Sequence, residues 1–403
     1  RLTLLLIALC AIPSNAVSPL ESKPVLVILQ FARQEQMFSE FISLIKAEGK
    51  LVQVVDMDTQ ITFESFGEYH YQSVYILAPK FQFNTITQKQ LKNYIAEGGN
   101  VFYGISQVYT PPVQNFLHSF KIQPTQTGAF VCDSDPSKQV FTTYSTESKL
   151  FPRTPVQYRG IAFSYPYAPA FNSLLPLPES AKLYDANNKQ QTLKQHTSLA
   201  LTFQSLTNGR LAIIGSIDAL NNTLITSNSK FIKPLVQWTM QTHGHLELRN
   251  VQITKLAGKP DIENEGMFFI NDTVRVSFDI MQTMNGETSG YIADDVQVEY
   301  RYVTPVILDY ATSLKNGSYE FTTVLPDRFG VYTIRINYTR PLLDSLYFEQ
   351  VTPIRPFRHD HAERFQVQCY PFYMAWFAML VSTVVFGYLY LNYHEPKSAA
   401  KRD

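Results

Sequence analysis

The sequence is poor in the residues that define small disulfide-bonded proteins and highly charged proteins. It contains three cysteines among 403 residues, and two of them, Cys132 and Cys369, lie outside the apolar N-terminal segment. This number excludes a disulfide-rich scaffold, and the spacing alone leaves open whether the two cysteines form a bridge. Charged residues make up 17% of the chain and the formal net charge is zero, which argues against nucleic acid as a partner.

Glycine is absent between Val25 and Glu48, where an α/β protein would carry a nucleotide-binding loop. A dinucleotide fingerprint and a P-loop both need glycines at the turn from the first strand to the first helix, so neither motif is present there. The nearest approach to a nucleophile elbow is Gly215-Ser216-Ile217-Asp218, which lacks the second glycine. The sequence therefore predicts no bound cofactor and no catalytic turn in this region.

Strand and helix patterns alternate over residues 24–245. Val25 to Leu29 form a continuous apolar run, which is typical of a parallel strand buried on both faces. Helical spacing follows at 38–45, and Thr87 with Gln90 forms a capping-box pattern before a second helix. Further elements are predicted as strands at 51–55, 74–77 and 101–105, a hairpin around Asn208-Gly209 and a helix at 231–238. This order predicts an α/β domain that is doubly wound and of amidotransferase or flavodoxin type.

From residue 246 to residue 356 the apolar period changes to two. Apolar and polar residues alternate at 274–280, 296–302 and 332–338, and turn residues separate these runs. Several short strands of this kind predict a β-sandwich domain of immunoglobulin type. The same parity places Asn337 on the solvent face, because Ile336 and Tyr338 point to the opposite side.

An uncharged apolar run near the C-terminus predicts a membrane helix. The twenty residues 374–393 are enough for a helix to cross a hydrocarbon core about 30 Å thick, and aromatic residues crowd both ends of the run. Residues 357–373 then form a juxtamembrane neck, and residues 394–403 a cytosolic tail. The apolar block that begins the chain predicts a signal peptide at 1–16. We therefore expect a single-pass type I protein in contact with membrane lipid, with most of its chain on the lumenal side.

Small side chains form a stripe along the predicted membrane helix. Ala375, Ala378 and Ser382 are spaced three and four residues apart, so they share one face. Because helices in lipid associate through close backbone approach, this stripe predicts a surface that packs on a partner helix. A simple anchor in which small residues fall on one face by chance is the alternative.

Four sequons mark candidate glycosylation sites. Their asparagines are Asn221, Asn271, Asn316 and Asn337. Short motifs of this kind also arise by chance, but four of them fit a chain that passes through the endoplasmic reticulum.

Two motifs are candidates for metal or catalytic chemistry. Asp133-Ser134-Asp135 matches the D-x-D pattern with which many sugar-nucleotide transferases hold a divalent cation, but Pro136 follows and the segment is also typical of a turn. His359 and His361 supply two ligands where zinc needs three or four, so a polar neck is favoured over a metal site. We predict no metal, no cofactor and no catalytic residue. The alternative is an independent lumenal, metal-dependent glycosyltransferase that uses Asp133 and Asp135.

Several segments resemble one known family. GEYHYQSVYILAP, IAEGGNVF, LPDRFGVYTIRINYTR, RPFRHDHAERF and CYPFYMAWFAML are similar to the non-catalytic lumenal subunits of dolichyl-diphosphooligosaccharide–protein glycosyltransferase, of the wheat-germ-agglutinin-binding-protein type. The resemblance extends from the first strand to the tail and is weakest between residues 111 and 194. It implies an α/β domain, a β-rich domain and one C-terminal membrane span.

The resemblance also implies a function in protein N-glycosylation. Family members are needed for the assembly and activity of a complex that transfers a dolichol-linked oligosaccharide to asparagine in Asn-x-Ser/Thr, and another subunit performs catalysis. The expected partners are a multi-spanning catalytic subunit and subunits of the ribophorin and defender-against-death types. The expected location is the endoplasmic reticulum membrane. Lys401 resembles a retrieval lysine, although the second lysine of that signal is replaced by alanine.

Overall fold

The structure, a computed structural model, describes residues 23–133, 140–148, 150–178, 180–185, 189–191, 196–257, 267–357 and 369–394. The predicted signal peptide and most of the predicted neck and tail lie outside these residues. Of the candidate motifs, Asp135, His359, His361 and Lys401 also lie outside them.

Strands and helices alternate in the first part of the chain, and short strands follow. The strands are β1 (Val25–Leu29), β2 (Val52–Asp56), β3 (Glu64–Ser65), β4 (Glu68–Tyr69), β5 (Ser73–Leu77), β6 (Asn100–Gly104), β7 (Gln123–Pro124), β8 (Phe130–Cys132), β9 (Phe141–Tyr144), β10 (Pro155–Tyr158), β11 (Phe163–Ser164), β12 (Phe171–Pro176), β13 (Lys182–Tyr184), β14 (Gln190–Gln191), β15 (Thr197–Gln204) and β16 (Arg210–Ile214). The helices are α1 (Ser39–Ala47), α2 (Gln88–Ala96), α3 (Pro111–Ser119) and α4 (Asn222–Thr239).

One large sheet organises this part of the chain. Its strands run in the order β2-β1-β5-β6-β16-β15-β11-β7, and β12 also pairs with β15. The first five strands of this order pair in parallel, and β15 joins β16 as an antiparallel hairpin. All residues of β1, β5, β6 and β16 are buried, as the continuous apolar runs predict for strands covered on both faces. The remaining short strands form small sheets, β9 with β10, β3 with β4, and β14-β13-β8.

Helices cover both faces of the parallel strands. Val25, Val27 and Leu29 point to the face on which α1 and α4 pack, whereas Leu26 and Ile28 point to the face of α2 and α3. The alternation of neighbouring β1 residues between two cores follows from the period of two along a strand. Mixed α/β architecture is therefore present in this part of the chain.

Local signals set the ends of the helices. The Thr87 hydroxyl accepts a hydrogen bond from the backbone N–H of Gln90, and the Gln90 side chain accepts one from the Thr87 N–H, which completes the predicted capping box of α2. Gly49, with φ +74°, ends α1 in the left-handed conformation that glycine adopts without strain. The second strand begins at Val52 rather than at the predicted residue 51, and the Leu51 side chain is exposed.

The predicted hairpin between β15 and β16 is present, and its loop spans residues 205–209. Asn208 adopts the left-handed backbone conformation of a turn, with φ +65°. Gly209 is needed for a different reason. A Cβ atom at Gly209 would lie 1.9 Å from the carbonyl oxygen of Ile95, so glycine is required for close approach to the end of α2.

The second part of the chain consists of strands. They are β17 (His245–Ala257), β18 (Phe268–Phe269), β19 (Thr273–Met284), β20 (Glu287–Gly290), β21 (Gln297–Arg301), β22 (Pro305–Tyr310), β23 (Thr312–Ser313), β24 (Ser318–Val324), β25 (Gly330–Tyr338) and β26 (Leu346–Arg355). One five-stranded sheet has the order β17-β19-β24-β23, with β20 paired to β19, and the other has the order β18-β26-β25-β21-β22. Val276 and Phe278 of the first sheet share a hydrophobic cluster with Ile334 and Ile336 of the second.

A single described helix, α5 (Tyr370–Leu391), is long and apolar enough to span a membrane. It begins before the predicted residue 374 and ends before the predicted residue 393. Pro371 explains the earlier start, because proline is favoured in the first turn of a helix.

Candidate functional site at the domain junction

Among the described residues, the turns after β1 and β16 hold no exposed serine or cysteine. A short 3₁₀ segment, Ala32–Gln36, follows β1 without glycine. The turn after β16 contains Ser216, which is fully buried and whose hydroxyl accepts a hydrogen bond from the Ala219 N–H at 3.2 Å. Among the residues that the structure describes, no group of three or more His, Cys, Asp or Glu side chains could hold a metal ion. Asp133 is exposed just after β8.

A buried cation occupies the junction between the two parts of the chain instead. Arg210, the first residue of β16, is 0% exposed, and its guanidinium lies 4.9 Å from the centre of the Trp238 ring. It donates hydrogen bonds to the carbonyl oxygens of Trp238, His243 and Gly244 at 2.5, 2.9 and 2.9 Å. These acceptors lie at the end of α4 and in the segment that leads into β17. A buried charge needs such partners, since an unsatisfied one would be very costly.

The fourth partner of Arg210 comes from the β-rich part. Asp344, 1% exposed in the loop between β25 and β26, accepts from Arg210 Nη2 at 2.5 Å through Oδ1. Its Oδ2 contacts Nδ1 of His245 at 2.5 Å. Burial acts to raise the pKa of Asp344, but the Arg210 charge and the His245 hydrogen bond outweigh burial and hold that pKa below its usual value. Asp344 is therefore an anion, and it balances the buried positive charge of Arg210 on β16.

Neutral hydrogen bonds hold the same loop from several sides. The indole N–H of Trp238 donates to the Leu342 carbonyl at 2.8 Å. The Asn208 amide donates to the Ser345 carbonyl at 3.0 Å and accepts from the Ser345 N–H at 2.7 Å. Gln204 adds a bond to the Leu343 carbonyl at 2.9 Å. Residues 342–345 are therefore bonded to the β15–β16 hairpin and to α4.

An open cleft of about 690 Å³ lies beside this loop. Residues from both parts of the chain line it, among them Leu150, Met284, Tyr291, Asp295, Arg340 and Leu342. Arg340 pairs with Asp295, and the Tyr338 hydroxyl donates to Asp295 at 3.0 Å. Burial acts to raise the pKa of Asp295, but the hydrogen bonds from Arg340 and Tyr338 lower it. Arg340 and Asp295 are paired with each other, as Arg210 and Asp344 are, so these charges serve to position parts of the chain.

The candidate residues from the sequence lie apart from this junction. Asn271, Asn316 and Asn337 are exposed in the β-rich part, and Asn221 is half-buried where α4 begins. Ala375, Ala378 and Ser382 share one face of α5, where the Ser382 hydroxyl donates to the Ala378 carbonyl at 2.8 Å. Sequence reasoning missed Arg210 and Asp344. In each case the sequence offers one signal, a charged residue beside apolar residues: RLAII contains Arg210 and LLDSL contains Asp344.

Comparison with known proteins agrees with this two-part architecture. A family model described as the OST48 N-terminal domain matches residues 15–242, and one described as the OST48 middle domain matches residues 256–394. The chain belongs to the OST48 family. Arg210 lies in the first matched region and Asp344 in the second, so the buried ion pair joins the two regions that define the family.

Relatives of the OST48 family align over most of the chain. The "Dolichyl-diphosphooligosaccharide--protein glycosyltransferase 48 kDa subunit" of Arabidopsis thaliana is 24% identical, over 92% of this chain and 93% of the relative. The "Dolichyl-diphosphooligosaccharide--protein glycosyltransferase subunit wbp1" of Schizosaccharomyces pombe is 24% identical, over 81% of this chain and 82% of the relative. Among solved structures, the mmIFT52 N-terminal domain is 13% identical with a TM-score of 0.42, over 53% of this chain and 96% of that chain.

We predict that replacing Arg210 destabilises the protein strongly. Arg210→Met leaves the Asp344 carboxylate buried without its cation, which costs about 3–5 kcal/mol when a buried pair is broken. Denaturant unfolding of the detergent-purified protein measures the effect. Arg340→Met is the matched control, because the Arg340–Asp295 pair is exposed and such pairs contribute about 0.2–1 kcal/mol. Equal losses in the two variants would contradict the junction assignment.

We also predict that stability falls as the pH is lowered from 7 towards 5, in part through His243. Burial lowers the pKa of His243 from its usual 6.5, and its Nε2–H donates to the Leu150 carbonyl at 2.9 Å. The unfolded chain therefore takes up this proton at a higher pH than the folded chain, so acidification favours unfolding.

Thermal unfolding at pH 7 and pH 5 tests the role of His243. His243→Gln retains a donor for Leu150 but does not titrate, so its loss of melting temperature over this interval should be smaller than that of the wild type. His118→Gln, at an exposed position on α3, is the control and should behave like the wild type. An unchanged pH dependence in His243→Gln would show that other groups are responsible.

Proposed function

We propose that this protein is a non-catalytic subunit of dolichyl-diphosphooligosaccharide–protein glycosyltransferase. In this function it supports the assembly and activity of a membrane complex that transfers a dolichol-linked oligosaccharide to asparagine in Asn-x-Ser/Thr of nascent proteins. The observation that carries the proposal is the match of both parts of the chain to the OST48 family, together with relatives named as subunits of this enzyme.

The chemistry of the described residues supports an accessory role. The turn after β1 has no glycine, and the hydroxyl of Ser216 is buried. The Arg210–Asp344 pair is buried, and the Nη atoms of Arg210 donate to acceptors within the chain. A subunit of this kind contributes surfaces and positioning, while another subunit performs the glycosyl transfer.

The location and partners form part of the same proposal. A membrane-spanning α5 would place residues 24–356 in the lumen of the endoplasmic reticulum as a type I protein. The proposed partners are a multi-spanning catalytic subunit and the ribophorin-type and defender-against-death-type subunits. The small-residue stripe of α5 is the proposed contact with a partner helix, since close approach rather than apolar burial drives association in lipid.

The finer fold classes are proposed in the same way. The strand order β2-β1-β5-β6-β16 and the helices on both faces support a doubly wound, flavodoxin-like class for the α/β domain. The two five-stranded sheets with a shared core support a sandwich of immunoglobulin type for the second domain.

A prediction for the membrane helix separates an assembly surface from a simple anchor. Ala378→Leu with Ser382→Leu keeps α5 apolar, so membrane insertion should be unchanged. If the stripe packs on a partner helix, the larger side chains prevent close approach and the variant should fail to co-purify with the complex in mild detergent.

The matched control for this experiment is Val384→Leu, which adds bulk on the side of α5 away from the stripe and should co-purify like the wild type. Mass spectrometry of the purified material identifies the partners. Normal co-purification of the stripe variant would mean that other parts of the chain hold the assembly.

A second prediction distinguishes the accessory subunit from an independent glycosyltransferase. Asp133→Ala with Asp135→Ala removes the two carboxylates that the alternative assigns to a metal-dependent transferase. In cells depleted of the native protein, the variant should restore glycosylation of reporter sequons as fully as the wild type. Loss of glycosylation at normal protein level and with normal complex assembly would favour the transferase.

A further inference from the structure

The outer face of the sheet β18-β26-β25-β21-β22 carries exposed apolar side chains. Along β25, Tyr332, Ile334 and Ile336 are buried, so the intervening residues point outward. The apolar members of this outer face are Leu308, Tyr310, Val331, Tyr347 and Val351, and each is between 56% and 61% exposed. The Arg335–Glu349 ion pair lies between Tyr347 and the group formed by Val331 and Val351, so Tyr347 is a separate exposed ring on this face.

Asn337 lies on the same outer face. It is exposed, whereas Ile336 and Tyr338 on either side of it are buried. Across the strand pair it is directly opposite Tyr347, one of the apolar members of the face. Thr339 is also exposed and completes the sequon Asn337-Tyr338-Thr339. The attachment point and a large exposed ring are therefore neighbours about 5 Å apart.

The other three sequon asparagines lie elsewhere and make different contacts. Asn221 is half-buried at the start of α4. The Asn271 amide donates to Asp327 at 3.3 Å, and the Asn316 side chain accepts from the Ser318 N–H at 2.9 Å in a turn. Among the described residues, no hydrogen bond involves the side-chain amide of Asn337. Its nitrogen can therefore carry a substituent without loss of an internal bond.

We propose that Asn337 carries an N-linked glycan whose first sugars lie over the Tyr347 ring on the outer face. The amide nitrogen of Asn337 attacks C1 of the reducing-end sugar of a dolichyl-diphosphate-linked oligosaccharide. The N–C1 bond forms, the bond from C1 to the diphosphate oxygen breaks, dolichyl diphosphate leaves and the amide nitrogen loses one proton. The inference rests on the proposed function for the compartment in which this donor is present.

A glycan fits this face for physical reasons. The C–H surface of a sugar packs on the exposed side of a tyrosine ring, and its hydroxyl groups stay hydrated, so the exposed Tyr347 ring would be covered by a hydrated group. The Arg335 guanidinium lies on the same outer face, 5.6 Å from the centre of the Tyr347 ring, so a sugar would pack on the part of the ring that Arg335 leaves open.

Four variants of the full chain test the proposal. Each is expressed in eukaryotic cells and purified in mild detergent, and its glycopeptides are identified by mass spectrometry after endoglycosidase treatment. Asn337→Gln and Thr339→Ala should each lose the mass of one glycan, bind more of a hydrophobic dye and aggregate at lower concentration. Thr339→Ser keeps the sequon and should match the wild type. Asn316→Gln, the control, should gain no dye binding because Asn316 lies in a turn away from the apolar residues.

Two results would overturn the inference. One is an unmodified Asn337 peptide in the wild type, and the other is dye binding and aggregation that stay unchanged when the Asn337 glycan is lost. Co-purification with other subunits is measured on the same samples. If the wild type co-purifies with other subunits but its Asn337 is unmodified, the glycan is refuted and the proposed function is left intact. If Asn337 is modified but the wild type does not co-purify with other subunits, the glycan is supported and the proposed function is contradicted.

Discussion

The relative position of the two domains depends on the need to satisfy one buried cation. Arg210 is removed from water completely, and the desolvation of a guanidinium is tolerable only when its donors find well-placed acceptors. Three of these acceptors are carbonyl oxygens at the end of the α/β domain, and the fourth is the carboxylate of Asp344 in the β-rich domain. A shift of either domain would separate the charges, so this pair favours a single arrangement.

The Arg210–Asp344 pair also affects the cleft beside the loop 342–345. Because the loop 342–345 is bonded to Trp238, Asn208 and Gln204, the cleft beside it has walls from both domains. The two family models that show membership of the OST48 family match regions on either side of this junction, residues 15–242 and residues 256–394. The electrostatic groups of the junction serve the fold, because each of them bonds to another part of the chain.

Much of the α/β domain could be predicted because its elements carry local signals. The capping box of Thr87 and Gln90 and the left-handed Gly49 determine helix ends through neighbours in sequence. Strand boundaries were less exact, since Leu51 is apolar yet exposed and the strand begins at Val52. Gly209 shows the limit of local reasoning. It looks like a turn residue, but its lack of a side chain is required by the carbonyl of Ile95, which is distant in sequence.

The sequence by itself determined the alternation of strands and helices, the change of period near residue 246, the apolar C-terminal helix and the outward direction of Asn337. Each of these depends on periodicity or on contacts within a few residues, which the order of residues contains directly. Only the tertiary structure decided that Arg210 and Asp344 form a pair and that Tyr347 lies beside Asn337. The residues of the first pair are 134 positions apart. Such contacts arise from how strands and loops pack, and no spacing rule in the sequence encodes the distance between them.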